Sequence, residues 1–192
     1  MSHAGRLLVA TPLIADPNFE RTVLLLLAHD DGGAFGVVVN RPGDTAVHEV
    51  VPSWAEVASA PAMLFLGGPV GRDRVIGLAR WGGGAPGGDA EPDDGDDDRP
   101  ARRVVGDWWT VDLNRPPVPG QAPDGLRLFA GSAGWAPGQL DDELTEGAWW
   151  PVDATGEDVM TADPDRSWDR VLRRQPGELA WFANHPDDPS AN

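Results

Sequence analysis

Two glycine-rich stretches are the first places in this sequence where ligand chemistry could occur. One is Gly67-Gly68-Pro69-Val70-Gly71, and the other, Gly131 to Gly138, precedes a predicted helix. Exposed backbone N–H groups in such stretches attract anions, above all in front of a helix. Neither stretch is a standard nucleotide loop, because the first lacks the dinucleotide spacing and a following helix, and the second has no lysine.

A few side chains outside these turns could complete a pocket. The residues that we predict to form a ligand site are Asn40, Arg41, Gly67, Gly68, Trp135 and Gln139. In that site Arg41 would be a fork-shaped donor to an anion, and Trp135 would be a stacking wall. The alternative is structural: Asn40 and Arg41 cap a strand end, Trp135 packs in the core, and Gln139 begins a helix.

A serine in the second stretch nearly matches the nucleophile elbow of serine hydrolases. The segment Ala130-Gly131-Ser132-Ala133-Gly134 follows a predicted strand, and Asp163 and His185 come later in a suitable order. However, position 130 is alanine, Pro137 delays the next helix, and His185 lies in a polar tail. The pattern therefore favours a glycine-rich turn with an incidental serine, and no catalytic residue is assigned.

Metal and nucleic-acid sites are not expected from the remaining polar residues. The four histidines do not fall at a metal-binding spacing on a credible helix, so we predict no metal and no cofactor. Aspartates are interspersed in the only basic cluster, which consists of Arg166, Arg170, Arg173 and Arg174. Since no helix-turn-helix pattern accompanies that cluster, direct nucleic-acid binding is not expected.

Composition excludes further classes of chemistry. The 192 residues fit one domain, and they contain no cysteine, lysine or tyrosine. Thiolate nucleophiles, cysteine-ligated metals, lysine Schiff bases and a tyrosine acid are therefore excluded. The net charge of -16 disfavours non-specific binding to nucleic acid or anionic lipid. The start does not resemble a signal peptide, and no apolar run is long enough to span a bilayer, so we expect a cytoplasmic protein without membrane contact.

Hydrophobic patterning predicts the elements that must position these residues. The predicted strands are Arg6–Ala10, Thr22–Ala28, Ala34–Val39, Met63–Leu66, Val75–Ala79, Val104–Asp112 and Leu126–Ala130. Two short helical turns are predicted in Ala46–Val57, a helix in Gln139–Glu146, and a last amphipathic helix after Asp163-Pro164. The acidic stretch 82–103 is predicted to be a disordered insertion loop, and residues 185–192 a mobile tail.

Several sequence blocks resemble the signature of the bacterial YqgE/AlgH family, in that family's order. They are Gly5–Leu8, Asp16–Val23, Gly33–Pro42, Gly67–Val70 and Gly134–Leu140, with Trp149–Pro151 and Trp168 also matching. The resemblance implies a single α/β-type (α+β) domain with a curved, barrel-like mixed sheet and flanking helices. Its members are commonly labelled transcriptional regulators, although their activity is not established. The acidic insertion is longer than usual, and Ser132 stands where an aromatic residue is common.

The leading interpretation is a regulatory or ligand-sensing domain without a catalytic centre. One alternative is an enzyme that acts on a small anionic metabolite or nucleotide near Arg41, Gly68, Trp135 and Gln139. Another is a protein-interaction module, which would carry an exposed apolar patch. The expected partner is accordingly a small anionic ligand or a protein.

Overall fold

The computed structural model of this chain describes residues 2–83 and 100–183. The strands in these ranges are β1 Arg6–Ala10, β2 Val23–Asp30, β3 Gly33–Val38, β4 Pro42–Ala46, β5 Met63–Leu66, β6 Val70–Arg80, β7 Ala101–Val105, β8 Trp108–Val111, β9 Gly125–Trp135 and β10 Trp149–Asp153. The helices are α1 Val47–Val50, α2 Gln139–Thr145, α3 Gly156–Met160, α4 Ser167–Arg173 and α5 Leu179–Phe182, with 3-10 turns at Pro52–Val57 and Pro164–Arg166.

The strands form one curled sheet built around β9. Its main path is β10-β1-β2-β3-β9-β6-β8-β7, and β5 joins β9 while β4 joins β5. The β5–β9 pair is parallel and the other pairs are antiparallel. The sheet curls so far that Val105 of β7 lies beside Gly5, just before β1. These features confirm the predicted α+β domain with a curved, mixed sheet.

The interior of this half-barrel is the main hydrophobic core. Alternate residues such as Leu7, Val9 and Phe129 face inward, where they pack with Val159 and Trp168 of the C-terminal helices. The outer face of the sheet is covered by other elements in two places. α2 covers Leu8 and Ala10 there, and the Ala46–Val57 region covers β6, β8 and β9. Strands buried on both faces explain the nearly continuous apolar runs of β1 and β2.

Three local predictions differ from the structure. The stretch after Ala130 is not a turn, because β9 continues through Gly131, which has a φ of 71°, to Trp135. The strand predicted at Val104–Asp112 is part of the β7–β8 hairpin, which turns at Gly106. β5 and β6 share the sheet as predicted, but they do not pair with each other, because each pairs with β9.

The predicted acidic loop and tail lie mostly outside the described residues. Residues 84–99 and 184–192 are not described, and they include His185. β7 begins at Ala101, two residues before the predicted end of the loop at Arg103. Among the described helices, none has the length and apolar composition needed to cross a bilayer.

Candidate functional site

Asn40 ties the end of β3 to the start of β2. Its side chain is buried, its Oδ1 accepts the N–H of Val23 at 2.8 Å, and its Nδ2 donates to the carbonyl of Arg21 at 3.0 Å. Both ends of the amide are therefore used within the protein. These contacts correspond to the strand-end capping role considered for Asn40 in the sequence.

Arg41 holds the loop that precedes β2. Its guanidinium donates to the carbonyls of Pro17 and Glu20. Burial lowers the pKa of Arg41, while Glu20 and Asp16 act in the opposite direction. Arg72 contacts the same loop, since its Nη2 donates to Asn18 Oδ1 at 2.9 Å and its Nε to the Gly68 carbonyl at 3.4 Å. The Arg72 side chain thus joins the loop to the Gly67–Gly68 turn.

Gly67 and Gly68 allow β9 to pass unusually close to the turn after β5. A Cβ atom on Gly67 would overlap with the Gly131 carbonyl, and one on Gly68 would overlap with the Ser132 carbonyl. The Gly67 N–H donates to Ala130 and its carbonyl accepts from Val38, both at 2.8 Å. The backbone groups of Gly67 therefore join strands.

Trp135 and Gln139 belong to a hydrogen-bonded cluster around Glu143. The indole N–H groups of Trp135 and Trp149 both donate to Glu143 Oε2, at 2.8 and 2.7 Å. Gln139 Nε2 donates to Oε1 of the same carboxylate at 2.9 Å, and Gln139 Oε1 accepts the Ala136 N–H. Phe19 packs edge-on against Trp149, which links this cluster to the loop held by Arg41.

The six predicted residues thus fall into two groups of contacts near the loop around Phe19. Asn40, Arg41, Gly67 and Gly68 belong to the group that involves β2, β3 and Arg72, and Trp135 and Gln139 belong to the cluster around Glu143. The polar side chains of these residues have partners within the protein, and ligand binding here stays a prediction. The sequence patterns did not single out Glu143, although its position one helical turn after Gln139 is a usable signal.

Ser132 does not occupy a nucleophile elbow. It is buried within β9, where it pairs with Val70, and no helix follows it directly. Asp163 precedes a 3-10 turn in a different part of the fold. The geometry therefore agrees with the interpretation of Ser132 as an incidental serine.

A cavity at one end of the half-barrel presents a different set of charged residues. Its volume is about 440 Å³, and its lining comprises Arg80, Asp124, Gly125, Gly156, Glu157, Met160, Thr161, Ala162 and Arg170. The paired residues Arg80 and Gly125 form the strand side, and α3 with the segment that follows it forms the helical side. The cavity lies within the size range of small-molecule sites.

The arginines of this cavity are positioned by local contacts. Arg80 lies against the backbone of Gly156, where an added Cβ would be 2.7 Å from the guanidinium carbon, and its Nη2 is 3.9 Å from Asp107. Arg170 Nη2 donates to Ser167 Oγ at 3.1 Å, and Nη1 donates to the Asp163 carbonyl at 3.4 Å. The contacts with Asp107 and Asp163 are long, and a guanidinium has five N–H donors, so both arginines keep donor capacity for a ligand.

A third arginine lies behind the cavity. Arg127 is 2% exposed and follows Gly125 by two residues on the inward face of β9. Its Nη2 donates to the carbonyls of Ala60 and Thr161, and its guanidinium lies 4.1 Å from the centre of the Phe65 ring. Its Nε and Nη1 have no hydrogen-bond partner in the described structure. Burial lowers the pKa of Arg127 to about 10.

The sequence patterns did not predict this cavity. Arg127 interrupts an otherwise apolar strand, and that interruption was the available signal. Arg80 and Arg170 carry no such signal, because they are distant in sequence and only the tertiary fold brings them together. Within residues 2–83 and 100–183, no group of three or more His, Asp or Glu side chains could hold a metal ion.

Known proteins resemble this chain over nearly its full length. The AlgH-like family model matches residues 7–180. A UPF0301 protein of Streptomyces coelicolor is 51% identical over 192 residues, covering 100% of this chain and 96% of that protein. A UPF0301 protein of Thermobifida fusca is 44% identical over 202 residues, with coverages of 100% and 96%.

Two solved structures share the fold. The crystal structure of a Corynebacterium diphtheriae protein aligns with a TM-score of 0.81 and 32% identity, covering 95% of this chain and 92% of that one. The solution structure of the AlgH protein from Pseudomonas aeruginosa aligns with a TM-score of 0.63 and 26% identity, covering 96% and 94%. The resemblance noted in the sequence blocks is confirmed, and the chain belongs to the AlgH-like family.

Proposed function

We propose that this protein is a regulatory domain that senses a small metabolite through an anionic group of that metabolite and has no catalytic centre of its own. The observation that carries this proposal is the convergence of Arg80 and Arg170 on one cavity, with the buried Arg127 behind it. Guanidinium groups are well suited to carboxylate and phosphate ligands, because they present several donors in a fixed plane.

The chemistry of the cavity supports binding over catalysis. Its lining combines two arginines and two carboxylates with glycines, the apolar side chains of Met160 and Ala162, and Thr161, whose hydroxyl oxygen accepts the Asp163 N–H at 3.1 Å. This set recognises charge and shape, whereas nucleophilic catalysis requires a nucleophile held by a base.

A buried, incompletely bonded arginine also favours an anionic ligand. Burying a charge without a partner costs free energy, and the cost falls when an opposite charge comes close. Among the described residues, Arg127 contacts two carbonyls and an aromatic ring. An anion in the cavity would therefore be stabilised by Arg127 as well as by the two lining arginines. We place this sensing in the cytoplasm, and an acidic chain without cysteine is consistent with that location.

The test is an NMR titration of the full chain with a panel of small carboxylates, amino acids, nucleotides and inorganic phosphate. We expect saturable shifts at Arg80, Gly125 and Arg170. The double variant Arg80→Gln, Arg170→Gln should weaken binding of the hit compound at least ten-fold, because each lost charge is worth about 1 kcal/mol or more. The matched control is Arg166→Gln, whose side chain is 80% exposed and outside the cavity.

The outcomes separate the two candidate sites. Shifts confined to Arg41, Gly68, Trp135 and Gln139 would move the site to the neighbourhood predicted from sequence. Turnover of the hit compound would contradict a purely sensory role, and a titration without any saturable shift would contradict anion sensing.

A further inference from the structure

The cavity presents both signs of charge. Arg80 and Arg170 contribute guanidinium groups, and Asp124 and Glu157 contribute carboxylates to the same lining. Their formal charges cancel. Asp124 is held in place because its Oδ2 accepts the Gly82 N–H at 2.8 Å.

Arg127 shifts this balance at the inner side of the cavity. Gly125 lines the cavity, and Arg127 lies two residues further along the same face of β9, a step of about 7 Å. Its Nη2 donates at 2.9 Å to the carbonyl of Thr161, which is itself a lining residue. The electrostatic potential in the cavity is therefore more positive on the side that faces the interior of the barrel than it is beside the carboxylates of the lining.

Resting on the function proposed above, we infer that the ligand is a small zwitterion of the free α-amino acid class, with its carboxylate toward the arginines and its ammonium group toward Asp124 and Glu157. A ligand with only a carboxylate would bring a like charge close to Asp124 and Glu157 and would offer no cation to offset the repulsion. Phosphate, with more negative charge, would be repelled more strongly. Met160 and Ala162 supply an apolar surface for a side chain.

The experiment compares pairs of probes that differ only in the ammonium group. The pairs are alanine with propionate, norleucine with hexanoate, and glutamine with 4-carbamoylbutanoate, and inorganic phosphate is titrated beside them. NMR shifts of the cavity residues give a Kd for each probe. We expect at least one amino acid to bind ten-fold or more tightly than its deaminated partner and than phosphate.

Variants that remove a negative charge test which side chains bind the ammonium group of the amino acid. Glu157→Gln and Asp124→Asn should reduce the preference for the amino acid to two-fold or less, while binding of the deaminated partner stays the same or improves. The amide that replaces the carboxylate in Asp124→Asn keeps an oxygen that can accept the Gly82 N–H. Glu146→Gln, an exposed change at the end of α2, is the matched control and should leave the preference unchanged.

The contribution of Arg127 can be tested by its own NMR signal, without a substitution at this buried position. Its Nε–H signal should shift with the amino acid at the same Kd as the signals of Arg80 and Arg170. The zwitterion inference is overturned, and the proposed sensing role survives, when a deaminated partner or phosphate binds the cavity as tightly as the amino acids. If no probe shifts the cavity residues, both the inference and the proposed sensing role are overturned.

Discussion

At the scale of single residues, Glu143 is the acceptor that organises the aromatic cluster behind α2. Two indole N–H groups and one amide converge on its carboxylate. Replacing it by glutamine removes the charge and one acceptor, so Glu143→Gln should lower the free energy of unfolding by about 1–3 kcal/mol, the usual cost of leaving a buried hydrogen-bond donor unsatisfied. Urea denaturation followed by tryptophan fluorescence measures the change, and Glu146→Gln at the end of the same helix is the control. An unchanged unfolding curve with unchanged indole signals would show that this carboxylate does not hold the cluster.

At the scale of elements, the crossing of β9 over the turn after β5 depends on Gly68. Its φ is 152°, and a Cβ there would overlap with the backbone of Ser132, which cannot move without disturbing the sheet. Gly68→Ala should therefore cost about 2–4 kcal/mol of stability through strain and overpacking. Gly120→Ala is a matched control, because Gly120 has a φ of 76° but no atom within 4 Å of the position that an added Cβ would take. The Gly120→Ala variant should lose only about 1–2 kcal/mol of stability, because alanine is strained at a positive φ. If thermal or urea unfolding shows equal losses of stability for the two variants, the close approach of the Ser132 backbone is not the reason that position 68 requires glycine.

At the scale of the whole molecule, a net charge of -16 on one domain implies substantial self-repulsion. Raising the salt concentration from about 0.01 M to about 0.15 M shortens the screening length from about 30 Å to about 8 Å. We therefore expect the Tm measured by calorimetry to rise over this range. The Arg80→Gln, Arg170→Gln double variant should show the same rise, which separates screening from chloride binding in the cavity. A Tm that falls with salt would indicate that favourable ion pairs outweigh the repulsion.

The local pattern of hydrophobic residues was enough to predict most of the secondary-structure elements. The apolar runs of β1, β2 and β3 and the helical spacing after Gln139 depend on neighbouring residues only, and those predictions are confirmed. Glycine misled the interpretation of β9. Gly131 and Gly134 suggest a turn in isolation, whereas both lie within a continuous strand, and Gly131 allows the backbone of Gly68 and Val70 to approach that strand.

The sequence by itself determined the excluded chemistries, the α+β class and the family, because these depend on which residues are present and in what order. Only the tertiary structure decided which polar groups meet. Asn40 and Arg41 received partners from other segments, and Arg80 and Arg170 were brought to one cavity, with Arg127 behind it, by strand register and by the packing of α3 and α4. Such contacts join residues far apart in the chain, and no local propensity encodes them.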